Sequence, residues 1–478
     1  MQFNSLAYAV FLPIVFAAYW VLPHKYRWIL LLAASYYFYM SWNPKYVVLI
    51  LFTTIVSYAD AILIERTDSR KKKNIILVAT LLVCLGVLFV FKYYGFAMDN
   101  IAAVLQRFSI SLAAPTMKLL LPVGISFYTF QTLSYVIDVY KGDIKAEKHF
   151  GIYATFVSFF PQLVAGPIER ASNLLPQIKE EKYFDYNEAV YGLRQMLWGF
   201  YKKVVIADTF GKYVDKVYSN VTGYKGIDLA FVILFFTIQI YCDFSGYSDI
   251  AIGTARLMGI RLMTNFKSPY YAVSIKEFWG RWHISLSEWF KNYVYIPLGG
   301  NRCSKPRHYL NLMITFLASG LWHGASWTYV VWGGMHGIVQ ILEDIFKVTL
   351  QKMKSKKILK VLIGLCVFGI CNIGWVFFRA DTFNDAFYVI RNCLYGVTDL
   401  SQYYHNTIGL NHMRYLHVFA TIASIAAFDY ASLKIDVIEW IGKRPLPVRL
   451  IVQYALVALV LWFGIDNMGS NAFVYFQF

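Results

Sequence analysis

An all-α, polytopic membrane protein is the fold this sequence predicts, and three observations carry that expectation. Of the 478 residues, 58% are hydrophobic and only 15% are charged, too little charge to cover a soluble surface. Apolar segments close to bilayer-spanning length recur from end to end. Basic residues collect in the short loops between them.

The elements follow in order. Residues 3–22 form the first apolar segment. It has neither a basic leader nor a small-residue cleavage site, which predicts a retained helix rather than a signal peptide. Residues 46–64, 75–94, 229–242, 358–378, 415–431 and 450–465 are the other clear apolar segments. A crossing helix needs about 20 apolar residues for a hydrocarbon core of about 30 Å, and several of these qualify.

A net charge of +17 would suit nucleic acid if it formed one continuous face. It does not. Arg66 and Arg70 to Lys73, then Lys141, Lys145 and Lys148, then Arg302, Lys305 and Arg307 mark successive loops. The stretch from Lys347 to Lys357, and Lys443, Arg444 and Arg449, mark two more. This is the positive-inside pattern, so the loops are expected in the cytoplasm. Three spans precede the first loop and one follows the last. Both termini, including the tail 466–478, are therefore expected outside the cytoplasm.

Six cysteines (Cys84, Cys242, Cys303, Cys366, Cys371, Cys393) show no paired motif and mostly sit in apolar segments. They read as small buried hydrophobes, with neither a disulfide framework nor a zinc site. The layout is one membrane domain: N-terminal helices over 1–160, a core with re-entrant elements over 161–345, C-terminal helices over 346–465, then the tail.

The core is irregular. Gly166-Pro167, Ser245-Gly246 and Gly299-Gly300 interrupt moderately apolar sequence, and irregular backbone at membrane depth needs a protein or wet-cavity lining. Residues 309–343 lie between two basic loops, so an even number of crossings fits. Two short half-spans meeting near Gly320 to Gly324 would place His323 deep in the membrane; one long tilted helix is the alternative.

Ionisable groups in apolar sequence are functional candidates because they are expensive there, roughly 2.5–3.5 kcal/mol for a charge. His323 lies in Gly-Leu-Trp-His-Gly-Ala-Ser-Trp, residues 320–327. A helix through this stretch would put Trp327 one turn on, over the same face. A neutral imidazole suits a general base; a histidine bridging helices is the structural reading, and these residues alone leave both open. His283 lies in an aromatic-rich stretch, 277–289. Helical spacing there pairs Glu277 with Arg281, and Trp279 with His283 and Ser287. It could line a polar passage or form an interfacial aromatic belt. His336 follows His323 by 13 residues, about 220° around a helix, and reads as packing. Asp243 and Asp249 lack a third ligand, so orienting hydrogen bonds suit them better than a metal. No Gly-x-Ser-x-Gly elbow, Walker loop or dinucleotide fingerprint occurs.

Phe-Phe-Pro-Gln-Leu-Val-Ala-Gly-Pro-Ile (159–168), the 241–249 segment, Phe-Trp-Gly-Arg-Trp-His-Ile-Ser-Leu-Ser (278–287), Tyr-Ile-Pro-Leu-Gly-Gly-Asn-Arg (295–302), Gly-Leu-Trp-His-Gly (320–324) and Gly-Trp-Val-Phe-Phe-Arg-Ala (374–380) occur in this order. Together they resemble the membrane-bound O-acyltransferase family, of the alginate O-acetyltransferase type, with the teichoic-acid D-alanyl transferase type a relative. The resemblance implies a ring of roughly 10–12 transmembrane helices, with short re-entrant or interfacial helices around a thinned centre. It assigns the catalytic role to His323 and a second functional role to His283. Trp279, Arg281, Trp282, Ser287, Trp322, Trp327 and Asp243 become candidates for lining or orienting a donor tunnel.

No bound cofactor is implied. The co-substrate is an acyl thioester, acetyl-CoA or an acyl carrier, and the site is a bacterial-type cell membrane. Expected partners are an extracytoplasmic SGNH-hydrolase-like acyltransferase, an acyl carrier protein and membrane lipid, without nucleic acid. The C-terminal Phe-Val-Tyr-Phe-Gln-Phe (473–478) resembles a terminal motif whose tyrosine, Tyr475, relays the acyl group; an aromatic membrane anchor is the other reading. Acetyl transfer to an envelope polysaccharide or wall polymer is the leading expectation, and D-alanyl transfer to teichoic acid the second. A lipid or solute transporter fits the hydropathy, but no inverted repeat supports it.

Overall fold

The computed structural model describes residues 1–110, 121–396, 408–409 and 412–466, and these form helices and connecting loops with no strand among them. Tyr475 and its neighbours lie outside the described residues. The seven apolar segments are helical over most of their described lengths. Among the described residues five helices are long and apolar enough to cross a membrane: Pro44–Arg66, Arg70–Gln106, Ile227–Leu257, Lys357–Arg379 and Leu446–Gly464. The protein is an all-α polytopic membrane protein.

Two compact units divide the chain. Met1–Leu193 with Ala251–Met263 form one. It contains α1 (Leu6–Val21), α2 (His24–Met40), α3 (Val47–Arg66), α4 (Arg70–Leu88), α5 (Tyr94–Gln106), α6 (Ile125–Lys141), α7 (Phe150–Ser158) and α8 (Ala171–Lys179). Helices α3, α4 and α6 pack mutually, and α7 packs on α2 and α3. Polar side chains on the packed faces bond locally, as in the 2.7 Å contact of Ser57 Oγ with the Tyr153 hydroxyl. Away from water such bonds satisfy groups that would otherwise be costly to bury.

Arg194–Ile250 with the described residues from Thr264 onward form the second unit. It begins inside α9 (Tyr186–Phe200), at Arg194, and continues through a π-helical turn at Tyr201–Ala207 and α10 (Asp208–Tyr218). Then comes α11 (Ile227–Leu257), 31 residues long, far beyond the 229–242 segment its hydropathy marks. Helix α11 remains helical past residue 242 because its polar residues are buried and partnered rather than set in a turn; Ser245-Gly246, which reads as a break, lies inside it.

Two short helices, α12 (Ile275–Trp279) and α13 (Ile284–Phe290), lead through another π turn to α14 (Lys305–His323) and α15 (Trp327–Ile345). The latter two form an antiparallel pair. At Gly320 an added Cβ would collide with the Tyr329 carbonyl, and at Gly333 with that of Phe316. Missing side chains let the two backbones approach, the usual device of helix pairs in lipid. Each helix has 19 residues, about 28 Å of rise. They are full-length helices rather than short half-spans, and the single-helix alternative is excluded by the break at Gly324. Helices α16 (Lys347–Lys354), α17 (Lys357–Arg379) and α18 (Phe383–Asn392) complete the described order up to 396. Cys84, Cys242 and Cys371 are buried, but Cys303 and Cys366 are exposed, which corrects the uniform reading of the cysteines as core.

Candidate active site

The break between α14 and α15 makes the site. Gly324 is extended (φ −163°, ψ 150°), ending α14 at His323. Ser326 then caps α15, its Oγ accepting from the Thr328 N–H, the usual start signal of a helix. His323 is thus a terminal residue on a rigid helix. Trp327, placed over its face by a continuous helix, instead begins α15 and is 52% exposed. Trp332 takes that place, with ring centroids 4.8 Å from His323.

His323 is buried, and its Nδ1 lies 2.7 Å from the Ser319 carbonyl oxygen. A carbonyl can only accept, so the neutral ring carries its proton on Nδ1 and its basic lone pair on Nε2. Three rings pack against it: Trp322 at 5.0 Å, Trp332 at 4.8 Å and Phe378 at 5.6 Å.

His283 sits between α12 and α13 with φ 44° and ψ 53°, a left-handed conformation that costs a non-glycine residue energy. This break overturns the helical pairing of Trp279 with His283 and Ser287. Asn265 organises the turn. Its Oδ1 accepts from His283 Nδ1 at 3.2 Å, Ser285 Oγ at 2.9 Å and the Ser285 N–H at 3.3 Å. Its backbone carbonyl accepts from the Ile284 N–H. The amide oxygen's three donors fix the His283 tautomer in the same sense as that of His323. Trp322 packs against both imidazoles, 5.0 Å from His323 and 6.1 Å from His283, and Phe244 of α11 meets His283 edge-on at 4.6 Å.

A cavity of about 1270 Å³ opens within this unit, lined by α12, α13, α14, α15 and α16. Trp279, Leu286, Ser287, Phe316 and Ser319 line it, the last being the residue that holds His323. Towards the α14 start its wall carries Lys276, Lys291, Arg302, Lys305, Lys347 and Lys354 against Glu288, Glu343 and Asp344. Cations outnumber carboxylates on that wall.

Of the expected lining residues, Trp279 and Ser287 line this cavity. Arg281 instead pairs with Glu277 at 2.6 Å, the contact their spacing predicts. Trp282 is wholly buried in the aromatic core, 4.8 Å from Trp375. Asp243 takes no place on the cavity wall; it forms a buried ion pair at 2.6 Å with Lys203, which also meets Asp208 at 2.8 Å. Lys202 reaches Asp249 at 2.5 Å. Asp243 and Asp249 were read from sequence as orienting groups, but their partners Lys202, Lys203 and Asp208 were missed, as were Asn265, Ser319 and Trp332. The Lys202-Lys203 pair in an apolar run was the available signal; nothing local marks Asn265. Among the described residues no group of histidine, cysteine and carboxylate side chains could hold a metal ion.

Fold and site together are those of a multi-pass membrane protein with two buried histidines near a cavity. The model of the membrane-bound O-acyltransferase family matches residues 147–378, the stretch that holds both histidines. The chain is 39% identical over 391 residues to the probable alginate O-acetylase AlgI of Azotobacter vinelandii, covering 81% of this chain and 76% of that one. It is 36% identical over 425 residues to the peptidoglycan O-acetyltransferase of Helicobacter pylori, covering 82% and 79%. To the teichoic acid D-alanyltransferase of Streptococcus thermophilus it is 31% identical over 263 residues, covering 52% and 63%. The chain belongs to the membrane-bound O-acyltransferase family and is an O-acyltransferase.

Proposed function

We propose that this enzyme takes an acetyl group from a cytoplasmic thioester and passes it across the membrane for O-acetylation of a cell-envelope polysaccharide or wall polymer. The observation that carries the reading is the fixed tautomer of His323 beside a cavity that reaches Ser319. Nε2 removes the proton from an incoming hydroxyl as its oxygen attacks the thioester carbon. The C–S bond then breaks, and the same nitrogen returns the proton to the departing thiolate. An ester and a thiol result, and no net proton is consumed. His283, which also packs on Trp322, holds the acyl end of the donor. The alginate and peptidoglycan relatives match more of the chain than the D-alanyltransferase does, which favours acetyl transfer over D-alanyl transfer.

Tyr475 serves as relay in this reading: its phenol accepts the acyl group and an SGNH-type partner takes it onward. The test is His323→Ala at matched membrane abundance. Polymer acetylation is expected to fall about 10²–10⁴-fold; near-normal acetylation would overturn the assignment.

A further inference from the structure

Helix α11 ends where α1, α8 and α9 come together. Gly259, at φ 72°, takes the left-handed position after it. The Ile260 N–H returns to the Ala255 carbonyl and the Gly259 N–H to that of Arg256, the glycine stop of a helix. Trp20, in the last turn of α1, donates from Nε1 to the Leu257 carbonyl at 3.0 Å, so the two apolar helices end together. Phe184 packs edge-on against Trp20 at 5.4 Å and Phe16 at 6.2 Å. Arg27 donates to the Lys182 carbonyl at 2.6 Å. These contacts fold the connection between α8 and α9 over the helix ends. Between them lies a second cavity, of about 430 Å³, with Trp20, Tyr183 and Leu257 on its wall, wholly inside the first unit.

Tyr183, Phe184 and Tyr186 are exposed beside it. Aromatic rings and charges at the ends of apolar helices mark the height at which hydrocarbon gives way to headgroups. On α1, the exposed side chains of Leu6, Val10, Ile14 and Val21 recur at helical spacing on one face, which reaches the cavity beside Trp20.

The cavity wall carries both signs equally: Lys182, Arg256 and Arg261 against Glu180, Asp185 and Glu188. Glu188 engages the arginines, 2.7 Å from Arg261 and 4.0 Å from Arg256. Arg256 lies over the Tyr191 ring at 3.9 Å, and its Nε, though buried, meets no hydrogen-bond acceptor among the described residues. Two guanidinium groups carry more donors than one carboxylate can fill. Asp185 Oδ1 accepts from the Asn187 and Glu188 N–H groups at 2.8 and 3.2 Å, and Glu180 meets Lys182 at 2.7 Å. Both carboxylates are otherwise exposed. A wall without net charge suits a ligand that carries both signs a short distance apart.

We propose that this cavity binds the headgroup of an ethanolamine glycerophospholipid. Arg256 and Arg261 take the phosphate, Glu180 and Asp185 the ammonium, and the acyl chains lie along the exposed face of α1. Guanidinium and phosphate match in geometry and in charge. A primary ammonium brings N–H donors to the carboxylates, which a trimethylated choline head lacks; a glycerol head lacks the positive charge. Soluble phosphoethanolamine carries the same charges but has no chains to lay on α1. None of these residues belongs to the proposed transfer step.

The experiment titrates the full chain, purified in detergent, with phosphatidylethanolamine, phosphatidylcholine and phosphatidylglycerol of identical acyl chains. Bound lipid is counted by native mass spectrometry. We expect the ethanolamine lipid to bind at least about fivefold more tightly than either of the others. Glu180→Gln combined with Asp185→Asn is expected to bring the ethanolamine and choline lipids within about twofold of each other. Asparagine caps a helix as well as aspartate does, so α9 keeps its start. Arg261→Gln changes a side chain that is already largely exposed, and is expected to weaken the ethanolamine lipid about three- to tenfold. Arg256→Lys is expected to weaken it less than Arg256→Gln. Soluble phosphoethanolamine is expected to displace the lipid only at concentrations at least about a hundredfold above that of the lipid. Equal binding of the three lipids, preference for the glycerol lipid, or a preference unmoved by these substitutions would overturn the site. Displacement by phosphoethanolamine at concentrations like those of the lipid would overturn the lipid as its ligand.

Discussion

His283 holds a backbone conformation that ordinary residues avoid, and only its neighbours keep it there. Asn265 supplies the Nδ1 acceptor and two further bonds to Ser285, and itself reaches Ser248 of α11 at 3.4 Å. Replacing Asn265 by alanine strands buried donors at a cost of about 1–3 kcal/mol. We expect acyl transfer to fall roughly 5- to 100-fold with the protein still in the membrane. Measuring transfer at matched abundance checks this, and an unchanged rate would show that His283 needs no such support. A histidine amid tryptophan and glycine in apolar sequence is conspicuous, which marked His283, His323 and His336; the family resemblance then assigned roles to His323 and His283. Asn265 escaped because it lies 18 residues from His283 and no spacing rule links an asparagine in a loop to a distant imidazole. Lys203 meets Asp243 only through a separation of 40 residues, which local periodicity cannot express.

At the scale of the helix, the pair α14–α15 decides where the base stands. The existence of apolar helices was legible because span length and hydropathy are local properties. The break at Gly324 was half legible: glycines marked it, and Ser326 is a good cap residue, yet an uninterrupted apolar run invited a helix through it and misplaced Trp327. Close approach of Gly320 to Tyr329, and of Gly333 to Phe316, leaves no room for a methyl group. Either Gly→Ala substitution would force the helices apart at a cost of about 1–3 kcal/mol. We expect each to lower the thermal stability of the detergent-solubilised protein and to reduce transfer more than abundance, because His323 moves with the end of α14. Gly369, where an added Cβ meets nothing within 4 Å, provides the control: Gly369→Ala is expected to leave both near wild type.

Across the whole molecule, we propose from the placement of the basic residues that the basic loops are cytoplasmic and the tail 466–478 lies on the other side. Cysteine labelling beside Lys72 is expected to require a permeant reagent in intact cells; labelling by an impermeant one would invert the orientation. Tyr475→Phe keeps an aromatic anchor and removes the hydroxyl. Loss of polymer acetylation with retained membrane abundance is expected for the relay, and full activity would reduce the tail to an anchor. The central claim is that His323 is the base of a thioester-dependent O-acyl transfer. Its most direct measurement is transfer of labelled acetyl from a thioester to an acceptor hydroxyl by purified protein in proteoliposomes, comparing wild type with His323→Gln. The account predicts transfer in wild type and a loss of about 10²–10⁴-fold in the variant, with donor KM little changed. Equal rates in the two proteins would contradict it.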